Sequence, residues 1–223
     1  MSDSSGRPSA SSTGKLVIGV AGFQGDIEEN LAAAQNALKQ LGLDGEVISV
    51  RYPDEIERVD ALILPGGEST VISTLAAIHS SLPAIRSRIS EGLPVLGTCA
   101  GMIMLSNRAF DRVVGETKQK LIGGLDIVVE RNAFGRQSDS FETDLDMPSL
   151  GKSPFKAVFI RAPAVSDVGS GVQVIAKLDG RPVAVRQKNL IGTSFHPELS
   201  DDTRIHEELV RMAAAFHESR LKN

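Results

Sequence analysis

The stretch KLVIGVAGFQGDIEENLAAAQNALKQLG, residues 15–42, decides the fold class of this chain. Its first part is a short β-branched apolar run, the composition of a strand buried on both faces of a parallel sheet. The period then changes. Ile27, Leu31, Ala34, Leu38 and Leu41 recur at helical spacing and share one face. Asp26 stands where a helix needs a cap, Glu29 follows three residues later as in a capping box, and Gly42 can end the helix. A strand feeding an amphipathic helix is the repeating unit of α/β proteins.

The same alternation continues outward. EVISV (46–50) and ALILP (61–65) read as strands with a charged connection between them, and a helical stretch over 69–91 is interrupted at Pro83. LPVLGT (93–98) is a fourth strand, and AGMIMLSNRAF (100–110) begins a helix. The second half changes character, with LDIVVERN, FETDLDM, KAVFIRAP, VQVIAKL, PVAVRQ and LIGTSFH as closely spaced strands. Asp179-Gly180 supplies a hairpin turn between two of them. Residues 202–221 close the chain as a helix, with Ile205, Leu209, Met212 and Phe216 at helical spacing. The expected architecture is α/β: one domain, an open and mostly parallel sheet flanked by helices, with additional antiparallel strands in the C-terminal half. Residues 1–14 are Ser/Gly-rich, lack the apolar centre of a secretory signal, and read as a disordered tail before a domain over 15–223.

Composition narrows the function classes. A formal net charge of −4, no Trp and one Tyr give no case for a nucleic-acid surface. No apolar run has the length of a membrane-spanning helix. The single cysteine excludes an intrachain disulfide and a cysteine-based zinc site, and points to a reducing, cytoplasmic compartment. The histidines are scattered and the acidic residues form no ligand loop, so no metal site and no cofactor are expected.

That lone cysteine is Cys99, in Gly97-Thr98-Cys99-Ala100-Gly101. Strand, small residues around a nucleophile, then helix is the form of a nucleophile elbow, with the sulfur at the positive end of a helix. A small buried hydrophobe fits this stretch equally well. Of four histidines, His79, His206 and His217 read as lying on solvated helix faces. His196 ends the last strand, with Glu198 two residues on. In an extended segment, held so by Pro197, the two side chains point the same way, the arrangement of a base and its orienting carboxylate. Taken alone, a strand-end histidine with an accidental neighbour explains them. Pro65-Gly66-Gly67 after a strand offers backbone amides to an oxyanion or carboxylate, or is an ordinary turn with Glu68 or Ser69 as cap.

Together PGGES, GTCAG and FHPE, in this order, resemble the class I, triad-type glutamine amidotransferases. GVAGFQGD, ILPGGEST, VVERNAFGRQSDSFE, FIRAP and SFHPEL narrow the resemblance to the glutaminase subunits of pyridoxal 5′-phosphate synthase, from about Lys15 to the C-terminal helix. The resemblance implies a flavodoxin-like domain with Cys99 as nucleophile, His196 as general base and acid, and Glu198 as its orienter. It also implies a glutamine site at Gly67, Glu68, Ser69, Arg131, Ile160 and Arg161. Loop position, separately, makes the backbone amides near Gly67 and Ala100 the candidate donors to the oxyanion. By their own context, Arg131 reads as a solvated strand residue, Ile160 as core and Arg161 as an edge charge. Either guanidinium suits an α-carboxylate. The implied partner is a separate (β/α)₈ synthase subunit that takes up the ammonia. Another amidotransferase's glutaminase subunit, such as that of imidazole glycerol phosphate synthase, would share the triad but lack ERNAFGRQ and FIRAP. A non-catalytic scaffold predicts a decayed triad.

Overall fold

The computed structural model describes residues 14–111, 113, 115–131, 133 and 140–222. The expected tail and most of ERNAFGRQ (Asn132 and residues 134–137) lie outside the described residues. In chain order the elements are β1 (Leu16–Ala21), α1 (Ile27–Leu41), β2 (Gly45–Val50), α2 (Pro53–Glu57), β3 (Ala61–Leu64), α3 (Ser69–Ile78), α4 (Ser81–Ser90), β4 (Val95–Thr98) and α5 (Ala100–Leu105). There follow β5 (Ser106–Asp111), β6 (Gly115–Glu116), β7 (Leu125–Arg131), β8 (Ser140–Leu145), β9 (Phe155–Ile160) and β10 (Ala164–Val168). The chain closes with β11 (Gln173–Leu178), β12 (Arg181–Gln187), β13 (Leu190–Thr193) and α6 (Arg204–Leu221).

The main sheet has the order β11-β12-β13-β4-β3-β1-β2. Five strands, β2 through β13, run parallel, and the β11–β12 hairpin adds two antiparallel strands at one edge. Both faces of β1, β3, β4 and β13 are covered, which is why those strands consist almost entirely of apolar and small residues, while β2 at the edge is only half-buried and carries Glu46 and Ser49. The period-2 alternation sorts side chains between two cores. Leu62, Leu64 and Val95 pack with Ile72, Ile85 and Met102 on one face. Ala61, Ile63 and Leu96 pack with Leu38, Leu209 and Val210 on the other. A four-stranded sheet, β10-β7-β5-β6, and the β8–β9 ribbon hold the remaining antiparallel pairs.

This order fixes where a site can form. From β1 the chain crosses to β2 on one side, whereas β3 leads to β4 on the other, so the loops after β1 and β3 face each other at a switch point. The two loops are in backbone contact: a Cβ on Gly25 would lie 1.7 Å from the Gly66 carbonyl oxygen.

Several local expectations are corrected. The helical stretch over 69–91 breaks at His79–Ser80, where Ser80 is left-handed (φ 59°), not at Pro83, which sits in the first turn of α4. Proline is tolerated there because no first-turn amide has an intrahelical acceptor. The helix after Cys99 lasts only to Leu105, and SNRAF is strand β5 instead. Strand β10 was not expected; it pairs with β7 with a register shift between Val165 and Asp167. The Asp179-Gly180 turn forms as read, with both residues at positive φ. His206 is not on a solvated face: it is 1% exposed and neither ring nitrogen has a partner among the described residues. His217 is also turned inward, with Nδ1 3.0 Å from buried Asp60. Both follow from α6 packing across the sheet, which no local pattern reveals.

Candidate active site

At the carboxyl end of β4 the chain turns into α5 through Cys99, whose backbone is held at φ 48°, ψ −103°. A non-glycine residue in such a conformation costs about 1–3 kcal/mol and persists only where its surroundings impose it. Here both neighbouring glycines are required by space. A Cβ on Gly97 would lie 2.6 Å from the Gly101 backbone, and one on Gly101 would lie 1.9 Å from the Leu64 carbonyl oxygen. The Cys99 amide donates to the Thr193 carbonyl at 2.8 Å, tying the elbow to β13. Its Sγ lies 3.9 Å from the Ile160 carbonyl oxygen.

His196 follows β13, and its amide donates to Val158 of β9 at 2.8 Å. The ring is almost wholly buried, and Nδ1 lies 2.9 Å from Oε1 of Glu198, whose side chain has no exposed surface. The expected juxtaposition is present, but residues 197–199 form a 3₁₀ turn, not an extended segment. Proline at the first position of that turn starts it, since its fixed φ is also helical.

The expected cap of α1 is absent. Asp26 makes no side-chain cap bond, and its Oδ2 lies 3.2 Å from the same Nδ1 of His196. The pairing with His196 holds the Asp26 carboxyl below its ordinary range, against the opposing effect of partial burial. Burial disfavours a charge on His196, but hydrogen bonds to Asp26, Cys99 and Glu198 outweigh it and push its pKa up to about 12. These partners favour the imidazolium, with Nδ1 toward the two carboxylates and Nε2 left for Cys99.

One cavity of about 290 Å³ collects these groups. Gln24, Gly25 and Asp26 come from the β1–α1 loop, Gly67, Glu68 and Ser69 from the β3–α3 loop, and Cys99 and Ala100 from the elbow. Arg131, Ile160, Arg161 and His196 complete the wall, so every expected site residue except Glu198 lines it, and Glu198 stands behind His196. Glu68 does cap α3, accepting from the Thr70 amide, and it also pairs with Arg131 at 2.7 Å. Ser69 donates to Gln119 at 3.0 Å. Arg161 carries no ion pair or side-chain hydrogen bond among the described residues, and its φ of 43° marks a strained backbone at the cavity wall. Sequence reasoning missed Gln24, which accepts from the Glu68 amide at 2.8 Å, and Asp26, whose cap-like position concealed its other partner.

Ligand atoms of Asp26, His196 and Glu198 lie within 4.8 Å of one another, a spacing that a metal ion could use. The 2.9 Å contact is instead the length of a charge-assisted hydrogen bond, so a proton explains the cluster without an ion. Chemically, a nucleophile at a helix start, an oriented imidazolium, and a polar cavity with one uncommitted guanidinium suit acyl transfer on a small carboxylate-bearing substrate.

Comparison with known proteins agrees in extent. The SNO glutamine amidotransferase family matches residues 20–215. A protein of Archaeoglobus fulgidus named "Pyridoxal 5′-phosphate synthase subunit PdxT" is 51% identical over 197 residues, covering 88% of this chain and 98% of that one. Its namesake from Nitrosopumilus maritimus is 46% identical over 195 residues, covering 87% and 95%. A solved structure titled "Crystal structure of glutamine amidotransferase" aligns with a TM-score of 0.77 at 44% identity, covering 88% of this chain and 98% of that chain.

Proposed function

The chain belongs to the SNO glutamine amidotransferase family, and from that premise we propose that it is the glutaminase subunit of a pyridoxal 5′-phosphate synthase. It hydrolyses L-glutamine to L-glutamate and ammonia, and a separate synthase subunit uses the ammonia to build the vitamin from a pentose phosphate and glyceraldehyde 3-phosphate. The observation that carries the reading is the strained Cys99 elbow facing an imidazole anchored by Glu198, inside one polar cavity.

In this reading Cys99 Sγ attacks the side-chain carboxamide carbon of glutamine. Negative charge develops on the carbonyl oxygen, where the amides of Gly67 and Ala100 are the candidate donors, each such donor typically worth about 10²–10³ in rate. His196 gives its proton to the departing nitrogen, the C–N bond breaks, and a γ-glutamyl thioester remains on Cys99. Water, deprotonated by His196, then releases glutamate. Glu198 keeps the imidazole in one tautomer and stabilises its cationic form. Arg161, with its donors uncommitted, takes the substrate α-carboxylate, while Arg131 acts with Glu68 as a paired wall. Ile160 and Ser69 complete the glutamine site.

Ammonia released into neutral water becomes unreactive ammonium, which is the chemical reason for docking to the synthase subunit as a hetero-oligomer. Among the described residues no helix is long and apolar enough to cross a membrane, and we place the complex in the cytoplasm. Residues 15–223 act as one glutaminase domain. The test is glutamate release from glutamine by the chain mixed with its synthase subunit, with Cys99→Ala alongside. Activity that vanishes in the variant supports the reading; a wild type that binds the synthase and releases no glutamate overturns it.

A further inference from the structure

We propose that Asp26 is a second positioning residue for the active-site imidazole, sharing the Nδ1 proton of His196 with Glu198. The proposal rests on the glutaminase reading for its consequence in turnover. It rests on geometry for the pairing itself: Oδ2 of Asp26 at 3.2 Å and Oε1 of Glu198 at 2.9 Å converge on one nitrogen.

The placement is built into the fold. Asp26 occupies the cap position of α1 yet forms no side-chain cap bond, although aspartate is among the preferred capping residues. Its main chain is fixed instead. The Asp26 amide donates to Gly66 at 3.2 Å, and the carbonyl accepts from both the Asn30 amide (3.3 Å) and Asn30 Nδ2 (2.7 Å). Asn30 is fully buried, so that clamp is not shared with solvent. Gly66 leaves the necessary gap: a Cβ there would lie 2.3 Å from His196 Cε1 and 2.7 Å from Asp26 Oδ2.

The two carboxylates are not equivalent. Glu198 has no exposed side-chain surface, whereas Asp26 is about a third exposed and lines the cavity. Glu198 is therefore the permanent anchor behind the ring. Asp26 adds a second negative charge on the cavity side, favouring the imidazolium that must protonate the departing nitrogen. The titratable groups in contact with the ring are Asp26 from the β1–α1 loop, Cys99 from the elbow, and Glu198 from the strand end. Glu68, Arg131 and Arg161 line the same cavity.

The sign of the effect is fixed by charge. Removing a carboxylate beside the Cys99–His196 pair lowers the proton affinity of the whole pair, so its first proton leaves at lower pH. A merely structural loosening, which parts the sulfur from the imidazole without changing the charge beside them, gives no such movement to lower pH. The experiment is the pH dependence of Cys99 alkylation by iodoacetamide in the free protein, for wild type and Asp26→Asn, with Asp26→Ser as a second cap-compatible variant should the first fail to fold. In parallel, glutaminase turnover is measured in complex with the synthase subunit.

The expected result is an acid limb of alkylation moved to lower pH. The turnover kcat falls about tenfold with KM within about twofold, the loss expected for one charge-assisted hydrogen bond acting in the transition state. An acid limb that stays or moves up, or an unchanged kcat, overturns the proposal. If the wild-type complex releases no glutamate, the glutaminase reading fails, and the alkylation arm still decides whether Asp26 acts on the pair.

Discussion

Replacing His206 by leucine tests whether a titratable group is held neutral in the core. The imidazole sits in α6 among Ile205, Leu209 and Val210, 1% exposed, with both ring nitrogens unpartnered among the described residues. Burial alone depresses its pKa from 6.5 to about 4. The folded state thus holds the neutral ring while the unfolded chain accepts a proton below pH 6.5. For a depressed base, the contribution to stability is present above pH 6.5 and lost as pH falls toward 4. Each unit of displacement corresponds to about 1.4 kcal/mol, so the loss attributable to this one site is about 2 kcal/mol at pH 5 and about 3 kcal/mol at pH 4. Guanidinium unfolding at pH 7, 6, 5 and 4 gives ΔG for wild type and His206→Leu. Because all other titrating groups are common to both, the difference between the two curves isolates the histidine. The variant should be at least as stable at pH 7, since it removes two unsatisfied polar atoms from the core, and the gap should widen in its favour on acidification. Parallel curves would refute the reasoning.

Four further substitutions test the site. Glu198→Gln keeps the shape of the buried anchor but not its charge, and kcat for glutamate release should fall by about two orders of magnitude or more while the fold, followed by circular dichroism, is retained. Arg161→Ala should raise KM for glutamine by about 10–100-fold, the worth of a charge-assisted hydrogen bond, and leave kcat within a few-fold; Arg131→Ala, which also frees Glu68, should disturb both constants. Gly101→Ala forces a methyl to within 1.9 Å of the Leu64 carbonyl oxygen, so β3 and α5 must part; thermal unfolding should drop sharply and glutaminase activity should be lost even at temperatures where the variant remains folded.

The parts of this fold legible in the sequence are those set by local pattern. β1, β3 and β4 are buried at nearly every position and so read as short unbroken runs of apolar and small residues, and α1 shows its buried stripe at Ala34 and Leu38. The elbow was legible because close backbone approach leaves only glycine at positions 97 and 101. What escaped depends on tertiary placement. Ser80 carries no signal that it will turn left-handed, whereas Pro83 gives a misleading one. β10 exists because β7 offers it an edge, and its own residues alternate poorly. His206 and Asp26 were misread for one reason: each stands where a local rule suffices, a charged helix face in one case and a cap in the other. Contact across the sheet or across the switch point decides otherwise. Of the residues expected to bind glutamine, Arg131, Ile160 and Arg161 are reachable only through family resemblance, since the strand ends that bring them to the cavity wall lie far from Cys99 in sequence.

The central claim is that Cys99 carries the glutamyl group. The most direct measurement is acid quenching of the working complex during turnover of isotopically labelled glutamine, followed by mass spectrometry of the peptide containing Cys99. A label on that peptide, released by neutral hydroxylamine as a thioester should be and absent from Cys99→Ala, is the predicted result. Steady glutamate release with no label at Cys99, or turnover that survives Cys99→Ala, would contradict it.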